Sequence, residues 1–375
     1  MGDDMSSNTF PVLENISKSG VAIWLDDLSR DRIQNGELTN LISTKNVVGV
    51  TTNPSIFSNS ISKSDKYDSD IKKFGTKTID EIIQQLTTDD VRAACDLFKD
   101  VFAKTKGRDG RVSIEVDPRF AMDTKKTVAQ AKELWQIINR PNLFIKIPAT
   151  KPGLPAISEV IAAGISVNVT LIFSPIRYRE VFDAYQAGLE QRVKNGLPIN
   201  EIQSVGSIFV SRIDTEVDKR LTDNSELSQF KGKAAIANSI MCYEDFVEMT
   251  SLTRWKALAA KGAQVQRPLW ASTGVKDPSY DQTMYVTQLV AADTVNTMPE
   301  ATLNAVIAQG KCDSDSISAN FKNARSQIAK LAMSGIDFES IFNFLEADGV
   351  KKFETSWNDL IATVTNKLKN TPINS

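Results

Sequence analysis

Lys146 stands in the middle of the apolar run LFIKIPA (143–149), next to Ile147 and Pro148, with no acidic residue in the same run. An amine placed there loses hydration unless it finds a partner. Desolvation favours its neutral form, the one that attacks carbonyl carbon. Two carboxylates hold comparable places: Glu115 inside VSIEVD (112–117), and Asp26 near the end of VAIWLDD (21–27). Lysine with glutamate and aspartate suits Schiff-base chemistry, the carboxylates moving protons. A structural reading of these residues stands beside it with equal weight: a strand lysine ion-paired to an interior carboxylate, for which Glu115 and Asp26 are both adequate. The chain contains no histidine, which removes Ser-His-Asp and Cys-His hydrolases, HExxH metalloproteases and every imidazole metal site.

These residues need elements to position them, and eight β-branched apolar runs supply candidates. They are 21–27, 47–52, 112–117, 143–149, 166–173, 204–211, 267–272 and 294–298. Stretches of helical period separate them. Ser174 and Pro175 read as an N-cap and first residue, Gly196 as the terminator, with Val181, Phe182, Tyr185, Leu189 and Val193 on one face. Val128, Ala131, Leu134, Trp135 and Ile138 make a similar stripe. Eight βα units favour a closed (β/α)8 TIM-type barrel over an open sheet. The long connections 54–110 and 212–266 read as helical insertions. We expect an N-terminal arm (1–18), one barrel domain (19–370) and a C-terminal tail (371–375).

Alternation then aims the polar residues. In 112–117 the apolar Val112, Ile114 and Val116 alternate with Ser113, Glu115 and Asp117; in 166–173 the same parity sets Asn168 and Thr170 apart. If the apolar set faces the helices, Glu115, Asn168 and Thr170 point into the barrel. Asp26 falls where the C-terminal, functional rim of a barrel would be. Thr51 and Asn53 of TTN suit either a site contact or a strand-to-helix cap. Arg212 suits a phosphate contact, or a plain pair with Asp214.

Bulk properties narrow the partners. With 44 basic and 46 acidic residues the net charge is -2, which gives no reason to expect nucleic acid or a membrane surface. Glycine-rich phosphate loops are absent, against nucleotide binding. Three distant cysteines, Cys95, Cys242 and Cys312, suggest neither disulfides nor a thiolate metal site and read as buried fillers. No leader or membrane-span pattern is present, so a cytoplasmic location is expected. The charged run KSDKYDSDIKKF (63–74) reads as a solvated helix face, and the five tryptophans as packing residues.

The segments WLDDLSR, GVTTNPSIF, RVSIEVDPR, NLFIKIPAT and SVNVTLIFS, in this order, resemble the transaldolase family; SIFVSRID, PLWASTGVK and DTVNTMP extend the likeness, particularly to its longer bacterial branch. The resemblance runs from about Val21 to Leu368. It implies a (β/α)8 barrel circularly permuted relative to other class I aldolases, no metal or organic cofactor, and sugar-phosphate substrates. By motif, Lys146 corresponds to the Schiff-base lysine, Asp26 rather than Asp27 to the catalytic aspartate, Glu115 to the glutamate and Thr170 to the threonine that holds a water. Asn53, Asn168 and Ser207 match polar contacts to the three-carbon unit, with Thr51 beside them. Arg212 and Ser272 match phosphate ligands. Gly274 stands where many relatives carry a second arginine, and Lys276 is the available substitute.

The activity implied is transfer of a dihydroxyacetone unit between ketose and aldose phosphates. Two alternatives remain at this level. One is a fructose-6-phosphate aldolase of the same superfamily, whose members tend to carry Gln and Tyr where this chain has Glu115 and Phe209. The other is a non-catalytic sugar-phosphate-binding barrel. The oligomeric state, monomer or homodimer, is not legible.

Overall fold

The computed structural model describes residues 10–221, 227–312 and 314–370. All eight expected runs are strands: β1 (Val21–Leu25), β2 (Val47–Thr51), β3 (Arg111–Glu115), β4 (Leu143–Pro148), β5 (Val167–Ile172), β6 (Ser204–Phe209), β7 (Arg267–Ala271) and β8 (Thr294–Met298). Each pairs in parallel with the next, and β8 pairs with β1, closing the barrel. Strands covered by helices outside and side chains inside are buried on both faces, hence their near-continuous apolar character.

Inside, side chains stack in layers. The lowest holds Arg111 and Arg267. Above it the Trp24 and Phe144 rings lie 6.0 Å apart. Trp24 needs Gly49 opposite, because a Cβ there would come within 2.6 Å of the indole. On the same level Ser207 Oγ donates to Asn168 Oδ1 (2.7 Å), and Asn168 Nδ2 donates to Ser113 Oγ (3.2 Å). Lys146 and Glu115 form the layer above.

The helix signals function as read. Ser174 Oγ accepts from Arg177 N at the start of Pro175–Lys194, and Gly196, at φ +70°, ends it. The connection 54–110 contains the helices Pro54–Lys63, Asp68–Lys73, Ile79–Leu97 and Lys99–Lys104; the connection 212–266 contains most of Ser211–Arg220 and all of Ala234–Ser251 and Thr253–Ala259. The run 63–74 meets expectation on one face only: Lys63, Asp65, Lys72 and Lys73 are exposed, but the opposite face is docked. Tyr67, fully buried, donates to Asp90 (2.8 Å), and the Arg30 guanidinium bridges Asp90 and Asp70. Tyr67 and Ile71, four apart, form an apolar stripe that the density of charges conceals.

Within residues 1–18, Pro11–Lys18 is a helix that buries Leu13 and Ile16 and packs on β1 and the helix Glu300–Gln309. Residues 1–9, and the expected tail 371–375, lie outside the described residues. The C-terminal helix Phe338–Asn370 packs along Pro54–Lys63 and reaches the end of β5. Among the described residues no helix is long and apolar enough to cross a membrane.

Candidate active site

The β3–β4 register sets Glu115 beside Lys146. Lys146 is 6% exposed and Glu115 8%, so their mutual contact is sheltered from water. Lys146 Nζ donates to Thr52 O (2.6 Å) and to Glu115 Oε2 (3.3 Å). Thr52 is itself fixed, its Oγ1 donating to Ser113 O (2.7 Å). Thr170 Oγ1 donates to the other oxygen, Glu115 Oε1 (3.3 Å). Burial pushes the Glu115 carboxyl above the usual range, and the Lys146 charge works against that rise. The carboxylate is thereby made a stronger base than a solvated glutamate. The structural pair and the catalytic pair share one geometry here.

Asp26 is held by a different partner. Thr51 Oγ1 donates to its Oδ1 (2.8 Å) and lies 2.6 Å from Thr297 Oγ1. Thr51 has one proton, which Asp26 takes, so Thr297 must be the donor in the second contact. Burial raises the Asp26 carboxyl above its usual range, opposed by Lys146 and by the Thr51 hydrogen bond. Asp27 turns away to Arg32 (3.0 Å).

Arg212 closes the opposite side. Its guanidinium lies 5.1 Å from the Phe209 ring centroid, and its buried Nη1 has no hydrogen-bond partner. The pairing with Asp214 is not formed, because Asp214 accepts from Tyr285 OH (2.7 Å) and Ala235 N (2.8 Å). Burial lowers the guanidinium pKa, and Asp348 and Glu115 act against that. Ser272, in the left-handed region at φ +55°, brings its hydroxyl to within 2.9 Å of Ser211 Oγ. Leu171, at φ +58°, is likewise strained, beside an irregularity in β5. Ser272 lines a cavity of about 100 Å³ together with Lys146, Asp26, Thr170 and Arg212 among others, and Leu171 directly follows the lining residue Thr170.

A sequence model described as transaldolase/fructose-6-phosphate aldolase matches residues 23–364. The chain is 53% identical to "Transaldolase 1" of Streptomyces avermitilis, covering 97% of each chain. It is 52% identical to the transaldolase of Mycolicibacterium smegmatis, covering 96% of this chain and 98% of that one. For the transaldolase of Mycobacterium tuberculosis the identity is 52%, over 94% and 95%. The chain belongs to the transaldolase/fructose-6-phosphate aldolase family.

In this transaldolase-family barrel, Thr51, Asn53, Ser207 and Ser272 line the same cavity as Lys146. Asn53 is also the cap of Pro54–Lys63, its Oδ1 accepting from Ile56 N (3.0 Å), which leaves its amide nitrogen for a ligand. Asn168 does not reach the cavity; it is fully buried one layer below and orients Ser207. Lys276 is exposed and borders a neighbouring depression with Asp214 and Asp218. Its charge is still felt at Asp26.

Three contributors to the site escaped the sequence reading. Thr52 acts through a backbone carbonyl, which no side-chain motif can announce. Thr297 sits in TVNTM, where polar and apolar residues mix too evenly to reveal the inward face. Phe353 comes from the C-terminal helix, where Gly349 and Trp357, each four residues away, were the available signal. Among the described residues no group of three or more Cys, Asp or Glu side chains is arranged to hold a metal ion.

Proposed function

We propose that this chain is a transaldolase that moves a dihydroxyacetone unit between sugar phosphates on the amine of Lys146. The observation that carries the reading is the Lys146 amine lodged between Thr52 O and Glu115 in a cavity it shares with Asp26. The family relatives, named transaldolases, support the same reaction.

In this mechanism Glu115 takes a proton from Lys146, and the free amine adds to the C2 carbonyl of a ketose phosphate such as fructose 6-phosphate or sedoheptulose 7-phosphate. A water held by Thr170 relays the proton from Glu115 to the carbinolamine hydroxyl, which leaves as water and gives a protonated imine. Asp26 removes the C4 hydroxyl proton, the C3–C4 bond breaks, and its electron pair moves into the imine. An aldose phosphate departs. The remaining enamine attacks the next aldehyde, glyceraldehyde 3-phosphate or erythrose 4-phosphate, and Asp26 returns the proton.

Ser207 and Asn53 are suited to hold the hydroxyls of the three-carbon unit, with Thr51 keeping Asp26 in place and Asn168 keeping Ser207. Arg212 offers its unpartnered Nη1 to the phosphate beside Ser272. Lys276 stands further out and adds charge at the rim. Substrates of this kind are cytoplasmic metabolites, and we place the protein in that compartment.

The test is borohydride reduction in the presence of fructose 6-phosphate, followed by peptide mass mapping. A three-carbon adduct on Lys146, with transfer to glyceraldehyde 3-phosphate in a parallel assay, is the expected result. Turnover without an adduct on Lys146 refutes the mechanism, and release of free dihydroxyacetone without transfer would assign the aldolase activity instead.

A further inference from the structure

The C-terminal helix Phe338–Asn370 turns a stripe of residues toward the mouth of the barrel at four-residue spacing: Gly349, Phe353 and Trp357. Gly349 is seated on the catalytic wall. A Cβ added to it would stand 2.8 Å from Leu171 Cδ2 and 3.5 Å from Arg212 Nη1. Phe353 lines the same cavity as Lys146, its ring meeting Phe209 edge-on at 6.4 Å. Phe209 in turn packs on Phe173 (5.5 Å) and carries the Arg212 guanidinium. Trp357 lines the adjoining cavity, which Glu115 borders from the other side. Phe353 is only half-buried, unlike the core phenylalanines. Its ring forms part of the cavity wall.

The chemistry of the site gives such a ring a task. After C3–C4 cleavage, Lys146 holds an enamine of dihydroxyacetone with a nucleophilic carbon. That carbon either attacks an aldehyde or takes a proton from solvent. Protonation returns the imine; water then adds to C2, the C2–N bond breaks, and dihydroxyacetone leaves with the amine restored. One water is consumed and nothing is oxidised. The second outcome requires water above the enamine in the interval after the aldose phosphate has left.

We propose that Phe353 is a positioning residue that excludes water from the Lys146 enamine, and so sets the ratio of transfer to release of free dihydroxyacetone. Gly349 supports it by letting the helix approach Leu171 and Arg212 closely. The proposal rests on the Schiff-base reading above, and concerns a residue supplied from outside the barrel strands.

The experiment compares the full-length protein with Phe353→Ala, Phe353→Asn and Phe353→Leu. Free dihydroxyacetone and transfer product are both measured with fructose 6-phosphate as donor and glyceraldehyde 3-phosphate as acceptor. Circular dichroism and thermal midpoint report folding. Removing or polarising the ring is expected to raise the release-to-transfer ratio about tenfold, with the Lys146 adduct still trapped; Leu, which keeps apolar bulk, should stay within about threefold of the parent. A folded Ala or Asn variant with an unchanged ratio overturns the proposal. So does a Leu variant that behaves like Asn, because the effect would then follow any change of shape. An unmodified protein that yields no Lys146 adduct refutes the underlying mechanism instead, whatever the variants do.

Discussion

The two ends of the barrel interior both bury charge, and they treat it in opposite ways. At the lower end Arg111 donates through Nε to Gly107 O (2.8 Å) and through Nη1 to Pro141 O (3.0 Å), between the rings of Phe102 and Phe144. Arg267 donates to Asp109 (2.8 Å) and Arg108 O (3.0 Å). At the upper end the Lys146 pair is long at 3.3 Å, Asp26 is held by a hydroxyl rather than a cation, and Arg212 keeps an unpartnered nitrogen. A buried ion held closely by carbonyl or carboxylate partners, as Arg111 and Arg267 are, holds the structure; one left with a long contact or an unpartnered nitrogen can bind and react. The distinction lies in unused valence rather than in burial.

Two substitutions would break this contrast if it were wrong. Lys146→Ala should abolish the borohydride adduct and lower kcat by about four orders of magnitude or more. Its cost in stability should remain below about 2 kcal/mol, because Glu115, already pushed up by burial, can take a proton once the amine is gone. Arg267→Ala should do the reverse. Loss of a partner from a buried pair costs about 3–5 kcal/mol in urea unfolding, while kcat of the folded fraction stays within about threefold. If Lys146→Ala unfolded the protein, or Arg267→Ala silenced it while folded, the two ends could not be assigned separate roles.

Sequence reached the upper end far better than the lower. The strand runs were visible because most combine β-branched residues with an inward polar position, as those of Glu115 and Thr170 do. Asp26 over Asp27 came from motif alignment, and the geometry adds a reason, since Asp27 is engaged by Arg32. Arg111 and Arg267 drew no attention, because an arginine at the start of a strand looks like a solvated residue until the loops supplying its carbonyl partners are in place. Asn168 shows the limit of parity, which gives the face of a residue but not its depth: it is fully buried and stands outside the lining of the cavity. Phe353, more than 200 residues from Lys146 along the chain, could be joined to it only by the fold.

The contrast sharpens at Asp26. Its carboxyl is raised by burial, so in the free protein it is poised to accept and return a proton. Asp26→Asn keeps the hydrogen bond to Thr51 and removes the base. Imine formation should persist, seen as an undiminished adduct on Lys146. Cleavage should slow by about two orders of magnitude in single-turnover measurements. Near-normal cleavage would require another base.

The smallest effect concerns a buried carboxylate two residues from Arg212 that belongs with the satisfied charges. Asp214 accepts from Ala235 N and Tyr285 OH, yet burial still raises its carboxyl to about 7 from the ordinary 3.8. The native state therefore holds a proton that the unfolded chain has already released. Its contribution to stability is fully present below about pH 4 and is lost as pH rises through about 7. Asp214→Asn cannot titrate, so its stability deficit relative to the parent should be greatest near pH 4 and narrow steadily as the pH is raised through about 7, measured by urea unfolding. A deficit constant with pH would mean that Asp214 is ionised throughout that range, leaving it a charge whose hydrogen bonds fully offset its burial.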